Sequence, residues 1–343
     1  MTRPVLALPK AHLHLHFTGS MRIETLRELA QQHGLRLPAA LTTRWPPTLS
    51  ARDERGWFRF QRLYDAARAC VHGEEDLRRI VREAAMDDAA EGSRWLELQV
   101  DPTSYAASVG GITPALEIVL DEARSASDST GTQVAIVVAA SRMRHPMDAR
   151  TLARLAARYA GEGPGTVVGF GLSNDERRGD TAEFARAFEI ARRAGLASVP
   201  HAGELLGADH VSEAAEHLAP DRLGHGVRAV EQPRLLERLV KAGVTFEVCP
   251  GSNVALGVYP DLGSVPLPAL LEAGAQVALG ADDPLLFGSR LADQYQSARL
   301  DHGLDDEGLA GLARGSIEGS RAPQDTKREL LAGVDAWLAA PAG

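Results

Sequence analysis

Cysteine is scarce in this chain of 343 residues, which contains only Cys70 and Cys249. Two cysteines so far apart exclude a disulfide scaffold and a thiolate metal site. No apolar run is long enough to cross a bilayer, and the first ten residues lack the apolar core and the small-residue cleavage site of a secretory signal. We therefore expect a cytoplasmic protein with no membrane partner.

Dense clusters of positive charge are also missing. The 37 basic residues, mostly arginines, are spread among 46 acidic residues, which gives a formal net charge of −9. Because binding to a phosphate backbone requires a concentrated basic surface, this distribution excludes nucleic acid as a partner. The composition indicates nothing about the oligomeric state.

Short strand-like runs recur eight times, and each is followed by a longer stretch of helical periodicity. The predicted strands are residues 11–16, 95–100, 134–139, 167–171, 197–201, 222–224, 244–248 and 276–281. Several are apolar throughout, as expected for strands covered on both faces. Eight strand–helix units without a domain-sized linker predict a single α/β domain over residues 1–343, a (β/α)₈ TIM barrel rather than an open doubly wound sheet.

One insertion, at residues 36–69, separates the first two predicted strands. It reads as a loop followed by a helix that carries Trp57, Phe58, Phe60 and Tyr64. Loops after barrel strands lie at the catalytic face, so the insertion is interpreted as a lid over the barrel mouth. The alternative is an additional helix packed on the flank of the barrel. The residues beyond position 300 are predicted to form closing helices.

In such a barrel, functional side chains lie where the strands end. The first strand ends at His14 and His16, which share one side of the strand and are expected to face the barrel interior. His12 has the same parity one step deeper, and we expect it to be a hydrogen-bonded core histidine rather than a metal ligand. Three later strands end in "HAGE", "LGHG" and "LGADDP", which supply His201, Glu204, His225, Asp282 and Asp283.

These residue types at one end of a barrel indicate a mononuclear metal centre, because burying so many imidazoles and carboxylates is costly unless they are paired or metal-bound. Three neutral imidazoles and one carboxylate suit Zn²⁺ and leave a position for water. The predicted ligands of one zinc ion per subunit are His14, His16, His201 and Asp282. Glu204 lies three residues beyond His201 and is predicted to transfer a proton, while His225 and Asp283 are predicted to orient the water.

At this point the chain resembles the adenosine deaminase family of the amidohydrolase superfamily, and the resemblance extends over nearly its whole length. The matching segments, in order, are "PKAHLHLHFTGS", "VVGFGLSNDE", "HAGE", "RLGHG", "CPGSNVALG" and "GADDPLLF". The resemblance implies a hydrolase that removes the 6-amino group of a purine nucleoside and releases ammonia. It implies that Glu204 protonates purine N1 while hydroxide, positioned by His225 and Asp283, adds at C6. It also implies that His16 and Asp283 contact the substrate.

Two positions depart from the family pattern. Adenosine deaminases usually carry Asp, and adenine deaminases Glu, where this chain has Thr18. The glycine whose backbone N–H meets purine N3 in the family matches Asn174, which keeps a backbone donor and tolerates unusual dihedral angles. Gly171, in the same segment, is a further candidate substrate contact.

Thr18 bears on the choice of substrate, because a carboxylate at this position would repel an anionic group on the 5′ side of the sugar and threonine would not. Arg22 is predicted to pair with a substrate carboxylate, with a surface salt bridge as the alternative. Gln99, Arg142 and Arg144 are further candidates for contact with such an anion, at the rim of the barrel mouth. This rim favours 6-amino-6-deoxyfutalosine, a benzoate-bearing adenine nucleoside of menaquinone biosynthesis, ahead of adenosine or 2′-deoxyadenosine and then adenine.

Two other classes of protein fit the sequence less well than a deaminase. A two-metal hydrolase on the same barrel would normally require a bridging lysine in the fourth strand, and "VVGFGLSN" contains none. A non-enzymatic nucleoside-binding protein would be expected to have lost at least one of the chemical groups, yet all seven are present. The sequence therefore favours a one-metal deaminase.

Overall fold

A computed structural model describes residues 2–341, in which eight parallel strands form a nearly closed barrel. Each strand pairs with the next in chain order. The strands are β1 (Lys10–His16), β2 (Ser93–Val100), β3 (Gln133–Ser141), β4 (Val167–Ser173), β5 (Ala197–Ala202), β6 (Arg222–His225), β7 (Thr245–Val248) and β8 (Gln276–Leu279). The predicted (β/α)₈ architecture is confirmed, with strand ends that differ from the predicted ones by at most two residues.

Fifteen α-helices surround the barrel or close its ends within residues 2–341. They are α1 (Ile23–Gln32), α2 (Glu54–Arg68), α3 (Glu74–Ala90), α4 (Ala106–Val109), α5 (Ile112–Thr130), α6 (Pro146–Arg158), α7 (Ala185–Arg193), α8 (Ala208–Leu218), α9 (Pro233–Lys241), α10 (Pro250–Ala255), α11 (Leu267–Glu272), α12 (Pro284–Phe287), α13 (Leu291–Leu300), α14 (Asp306–Gly319) and α15 (Gln324–Ala339). Among these described residues, none of the helices has the length and hydropathy that a membrane span requires.

The barrel closes between β1 and the residues that follow β8. The Asp282 N–H donates to the His14 carbonyl at 3.0 Å, and the His16 N–H donates to the Asp282 carbonyl at 3.0 Å. Asp282 adopts a positive φ of 61° at this point. The hydrogen bonds that join the first and last strands therefore involve three of the four predicted metal ligands.

His12 does not face the barrel interior. Its partner in β2 is Leu96, whereas His16 is paired with Gln99, so β1 contains one more residue than β2 over this stretch. Such a bulge reverses the alternation of side chains. The His12 Nδ1 lies 3.0 Å from Asp88 on α3, and its Nε2 accepts the Ala281 N–H. The prediction of a hydrogen-bonded buried histidine is confirmed, but the predicted parity is wrong.

A buried ion cluster fills the barrel beneath the strand ends. Arg222 on β6 donates to Glu247 on β7 at 2.6 Å and to Glu97 on β2 at 2.5 Å. All three residues are at most 1% exposed. The second oxygen of Glu247 lies 2.8 Å from His14 Nδ1, so the cluster extends upward to a predicted metal ligand.

Replacing Arg222 with alanine is expected to reduce the free energy of unfolding by about 3–5 kcal/mol, because two buried carboxylates lose their cation. The measurement is urea unfolding followed by circular dichroism. Arg314→Ala is the control, since the Arg314–Asp335 ion pair is largely exposed and contributes about 1 kcal/mol or less. Equal unfolding midpoints for the two variants would contradict the assignment.

The insertion places α2 over the mouth of the barrel. The N-terminus of α2 is capped by Asp53, whose side chain accepts the Gly56 N–H at 2.6 Å. Trp45 Nε1 donates to the Leu285 carbonyl on α12 at 2.7 Å, and the Phe60 ring stacks on Phe287 at 5.8 Å. The insertion is thus attached to the segment that follows Asp282 and Asp283. Its action as a lid stays a prediction.

Candidate active site

The polar residues predicted from the strand ends converge at the carboxyl end of the barrel. His16 Nε2 lies 3.1 Å from Asp282 Oδ1 and 3.2 Å from His201 Nε2. His14 Nε2 lies 3.5 Å from the same Asp282 oxygen. His225 stands beside them, with its Nε2 3.6 Å from Glu204 Oε2 and 4.0 Å from Asp282 Oδ2.

Glycines in the surrounding segments make room for these side chains. A Cβ on Gly280 would stand 2.6 Å from His14 Cβ, and a Cβ on Gly19 would stand 1.8 Å from Asp283 Oδ1. Both distances are shorter than any real Cβ contact, so a side chain at either position would displace a functional group. The close approach of the Asp283 carboxyl group therefore requires a glycine at position 19, just after β1.

The histidine–aspartate cluster fits a metal ion. His14 Nδ1 donates to Glu247 Oε2 at 2.8 Å, which leaves Nε2 without a hydrogen-bond partner among the described residues. Potential ligand atoms of His14, His16 and His201 lie within 4.8 Å of one another. A histidine ligand held through its other nitrogen by a carboxylate is the usual arrangement at metal centres. The donor set of three imidazoles and one carboxylate suits zinc.

Burial and the concentration of carboxylates shift the proton affinities of the cluster. Although burial opposes it, the nearby carboxylates of Asp282 and Glu247 raise the pKa of His14 to about 10. The same contacts with His14 and His16 lower the pKa of Asp282 despite its burial. A cation is thus favoured next to this carboxylate.

Two other carboxyl groups are shifted in the opposite direction. Burial, followed by the charge of Asp282, raises the pKa of Glu204 well above its usual range, and the same causes raise the pKa of Asp283. Burial lowers the pKa of His225 to about 3. The arrangement therefore offers a neutral imidazole and carboxyl groups that can carry a proton near neutral pH.

A cavity with about 890 Å³ of empty space opens above the cluster. Helix α2 contributes one wall, formed by Trp57, Phe60, Gln61, Tyr64 and Arg68. The opposite walls come from the ends of β1 to β6, from Leu256 at the end of α10 and from the end of β8.

Besides His16 and Asp283, four of the residues considered for substrate binding line this cavity. Thr18 is buried and its Oγ1 lies 2.5 Å from the Tyr105 hydroxyl. Gln99 is 2% exposed, and neither atom of its carboxamide has a hydrogen-bond partner among residues 2–341. Asn174 has a φ of 83°, an unusual dihedral angle of the kind that asparagine tolerates. Arg144 is exposed at the rim.

Three other candidates do not reach the cavity. Arg22 forms a bidentate ion pair with Asp87 on α3, as in the salt-bridge alternative, and it does not line the cavity that the predicted substrate contact would require. Arg142 is buried behind β5 and donates to the His201 carbonyl, so it is not a rim residue. Gly171 lies within β4 and packs against β3 and β5 rather than on the cavity wall.

Several residues of the site were missed by the sequence analysis. Asp101, Ser104 and Tyr105 follow β2 and line the cavity, and Arg68 joins them from α2. Glu247 supports His14 from inside the barrel. The signal for Glu247 was available, because a carboxylate inside the apolar run "VTFEV" requires a buried partner.

Histidine and aspartate side chains that could hold a metal ion, gathered where the strands of a (β/α)₈ barrel end, are typical of a hydrolase of the amidohydrolase type. The family model "Adenosine deaminase" matches residues 9–337. The chain belongs to the adenosine deaminase family, and it is a hydrolase that acts on C–N bonds.

Similar proteins match over nearly the entire chain. A protein of Streptomyces coelicolor with the provisional name adenosine/adenine deaminase is 62% identical over 342 residues, which cover 98% of this chain and 99% of the relative. The crystal structure of an adenine deaminase from Arthrobacter aurescens has a TM-score of 0.88 at 30% identity, covering 97% and 100% of the two chains.

A third protein shares the fold at lower identity. It is an amidohydrolase from Burkholderia ambifaria with bound Zn, with a TM-score of 0.83 at 24% identity and coverage of 98% and 94%. The deamination of an adenosine- or adenine-type small molecule is the activity that these comparisons support.

Proposed function

We propose that this protein is a zinc-dependent deaminase of a 6-aminopurine nucleoside, with one zinc ion per subunit. His14, His16, His201 and Asp282 would hold the ion. The convergence of these side chains from β1, β5 and the end of β8 carries this proposal, together with the unpartnered Nε2 of His14. When bound, zinc supplies the Lewis acidity that lowers the pKa of water toward about 7.

Glu204 acts as the proton donor to purine N1. Its raised pKa keeps a proton on the carboxyl group near neutral pH, and its burial excludes water that would compete for that proton. Protonation of N1 makes C6 more electrophilic. Oxygen from water then bonds to C6, one proton of the water passes to the amino group and the other restores the Glu204 carboxyl group, and the C6–N6 bond breaks as ammonia leaves.

His225 and Asp283 orient the attacking water. His225 is held uncharged by burial, so its Nε2 can accept a hydrogen bond, and this atom lies 3.6 Å from Glu204 and 4.0 Å from Asp282. Asp283 has a raised pKa and an Oδ1 without a hydrogen-bond partner among the described residues. His16 and Asp283 also line the cavity and would contact the purine, as would Asn174.

The proposed substrate is 6-amino-6-deoxyfutalosine, which would be converted to futalosine. Its benzoate requires a cationic pocket on the 5′ side of the sugar. Arg68 and Arg144 both line the cavity, and Arg144 makes no side-chain hydrogen bond or ion pair among residues 2–341. Thr18, bonded to Tyr105, adds no carboxylate to that of Asp101, which lies near both arginines. These features favour a substrate that carries an anion.

Adenosine or 2′-deoxyadenosine is the second candidate, and adenine is the third. The polar side chains Asp101, Ser104 and Ser141 line the same cavity and suit the hydroxyl groups of an unmodified ribose. Adenine is favoured by the likeness to the Arthrobacter aurescens adenine deaminase. Purified enzyme assayed in parallel with the three compounds distinguishes them by kcat/KM. A tenfold or greater preference for adenosine would overturn the proposed substrate.

Arg144→Ala is expected to raise KM for 6-amino-6-deoxyfutalosine by about tenfold or more, because a hydrogen bond to a charged group contributes about 1.5–3 kcal/mol. KM for adenosine, which has no carboxylate, is expected to change by less than about twofold. Steady-state kinetics with both compounds provide the measurement. Arg154→Ala is a matched control, since Arg154 is an exposed arginine of α6 outside the cavity. Equal effects on the two substrates would count against a carboxylate contact.

A further inference from the structure

The turn between β5 and α8 carries Glu204 but has little regular structure of its own. It begins after Ala202 and ends where α8 starts at Ala208. Gly203 adopts a φ of 79°, and a Cβ there would stand 2.5 Å from Val211 Cγ2. The backbone N–H groups of residues 204–206 therefore need acceptors from outside the turn.

Glu176, from the segment after β4, supplies those acceptors. Its Oε1 accepts the N–H of Glu204 at 3.1 Å, and its Oε2 accepts the N–H groups of Leu205 and Leu206 at 2.9 and 2.8 Å. Glu176 is 2% exposed. Burial raises the pKa of Glu176, while the three amide donors and the charge of Arg142 oppose that shift.

Arg142 holds the end of β5 next to this contact. Its Nη2 donates to the His201 carbonyl at 2.8 Å, and its Nη1 donates to Thr181 Oγ1 at 3.1 Å. Thr181 in turn lies 3.2 Å from His210 Nε2 on α8. Two buried charged side chains, Arg142 after β3 and Glu176 after β4, thus fix the backbone on both sides of Gly203.

The carboxyl group of Glu204 has no comparable support. It makes no side-chain hydrogen bond among residues 2–341, and its nearest ring nitrogen, His225 Nε2, is 3.6 Å away. The position of this carboxyl group is therefore determined mainly by the backbone that carries it, and that backbone is held by Glu176.

We propose that Glu176 is the positioning residue for Glu204: by accepting three consecutive N–H groups, it fixes the turn at which the proton donor stands. The inference rests on the proposed role of Glu204. A displacement of the reacting group by about 1 Å can reduce the rate by about 100-fold, so a device that holds this turn has a direct effect on turnover.

Glu176→Gln tests the proposal, because the amide replaces one acceptor oxygen with a donor that faces the N–H groups. We expect kcat to fall by about 10- to 100-fold, with KM changed by less than about threefold. Zinc content, measured by elemental analysis, is expected to stay unchanged. Amide hydrogen exchange of residues 204–206 is expected to become faster. Turnover within twofold of wild type would overturn the proposal.

A double-mutant cycle shows whether Glu176 acts through Glu204. In a Glu204→Gln background, the added Glu176→Gln substitution is expected to change kcat by less than about twofold, because the group it positions is already absent. An equal loss in both backgrounds would overturn the proposal. If Glu204→Gln itself turned over normally, the proposed proton transfer would fail instead, so the two failures are distinguishable.

Glu122→Gln is the matched control. Glu122 is a buried glutamate on α5 that accepts hydrogen bonds from Arg78 and Arg82, away from the cavity. If Glu176→Gln fails to fold, Glu176→Asp takes its place, with Glu122→Asp as its control. The shorter carboxylate reaches fewer amides, so kcat is expected to fall by severalfold relative to the control. Equal kcat values for these two variants would refute the positioning role.

Discussion

Glu204→Gln is expected to lower kcat by about 1,000-fold or more while leaving the zinc content unchanged. General acid catalysis contributes about 10²–10⁴-fold, and an amide cannot donate the proton that the buried carboxyl group supplies. Glu204 lines the cavity beside His225 and is not one of the four proposed ligands, so the metal site should remain intact. Steady-state kinetics and elemental analysis of the same preparation provide the test.

The control for this variant is Glu216→Gln, an exposed glutamate on α8. It removes a carboxylate from the helix that follows the same turn, and it is expected to leave kcat unchanged. Near-normal turnover of Glu204→Gln would refute the role in proton transfer. Loss of zinc together with turnover would assign Glu204 to the metal site instead.

Asp282→Ala is expected to weaken zinc binding by more than about 100-fold and to abolish most of the activity. Loss of even a supporting group around a metal ligand costs about 10- to 100-fold in affinity. Asp282 is the anionic member of the proposed ligand set, and its Oδ1 lies within 3.5 Å of both His14 and His16. Zinc per chain after dialysis, and the Kd for added zinc, measure the effect.

Chelation of the wild-type protein provides a second measurement of the same dependence. Protein stripped of metal should lose activity and regain it when zinc is added. Asp335→Ala, at an exposed position of α15, is the control substitution and should retain zinc. Unchanged occupancy in Asp282→Ala would place the carboxylate ligand elsewhere, and full activity of the stripped protein would refute metal dependence.

The periodicity of apolar residues predicted the eight strands, and the positions of polar residues at the strand ends predicted much of the candidate site. The eight strands could be located because apolar runs buried on both faces differ clearly from the amphipathic helices between them. The convergence of His14, His201 and Asp282 followed from the barrel, since the carboxyl ends of all parallel strands meet at one face.

Pairing between distant side chains was not predictable in the same way. Arg22 and Arg142 were both near a strand end, but their partners, Asp87 and the His201 carbonyl, depend on the packing of the outer layer. His12 was assigned to the wrong face because a bulge in β1 leaves no signature in a single sequence. Helix α2 was found as an insertion, but the contribution of Arg68 to the cavity depends on its angle over the barrel.

The closure of the barrel at Asp282 has a consequence for the way the molecule is held together. The backbone of this one residue bonds to the first strand on both sides, while its side chain faces His14 and His16. A cation bound to these three side chains would add a further link between β1 and the residues that follow β8. Activity and the closure of the barrel would then depend on the same contacts between Asp282 and β1.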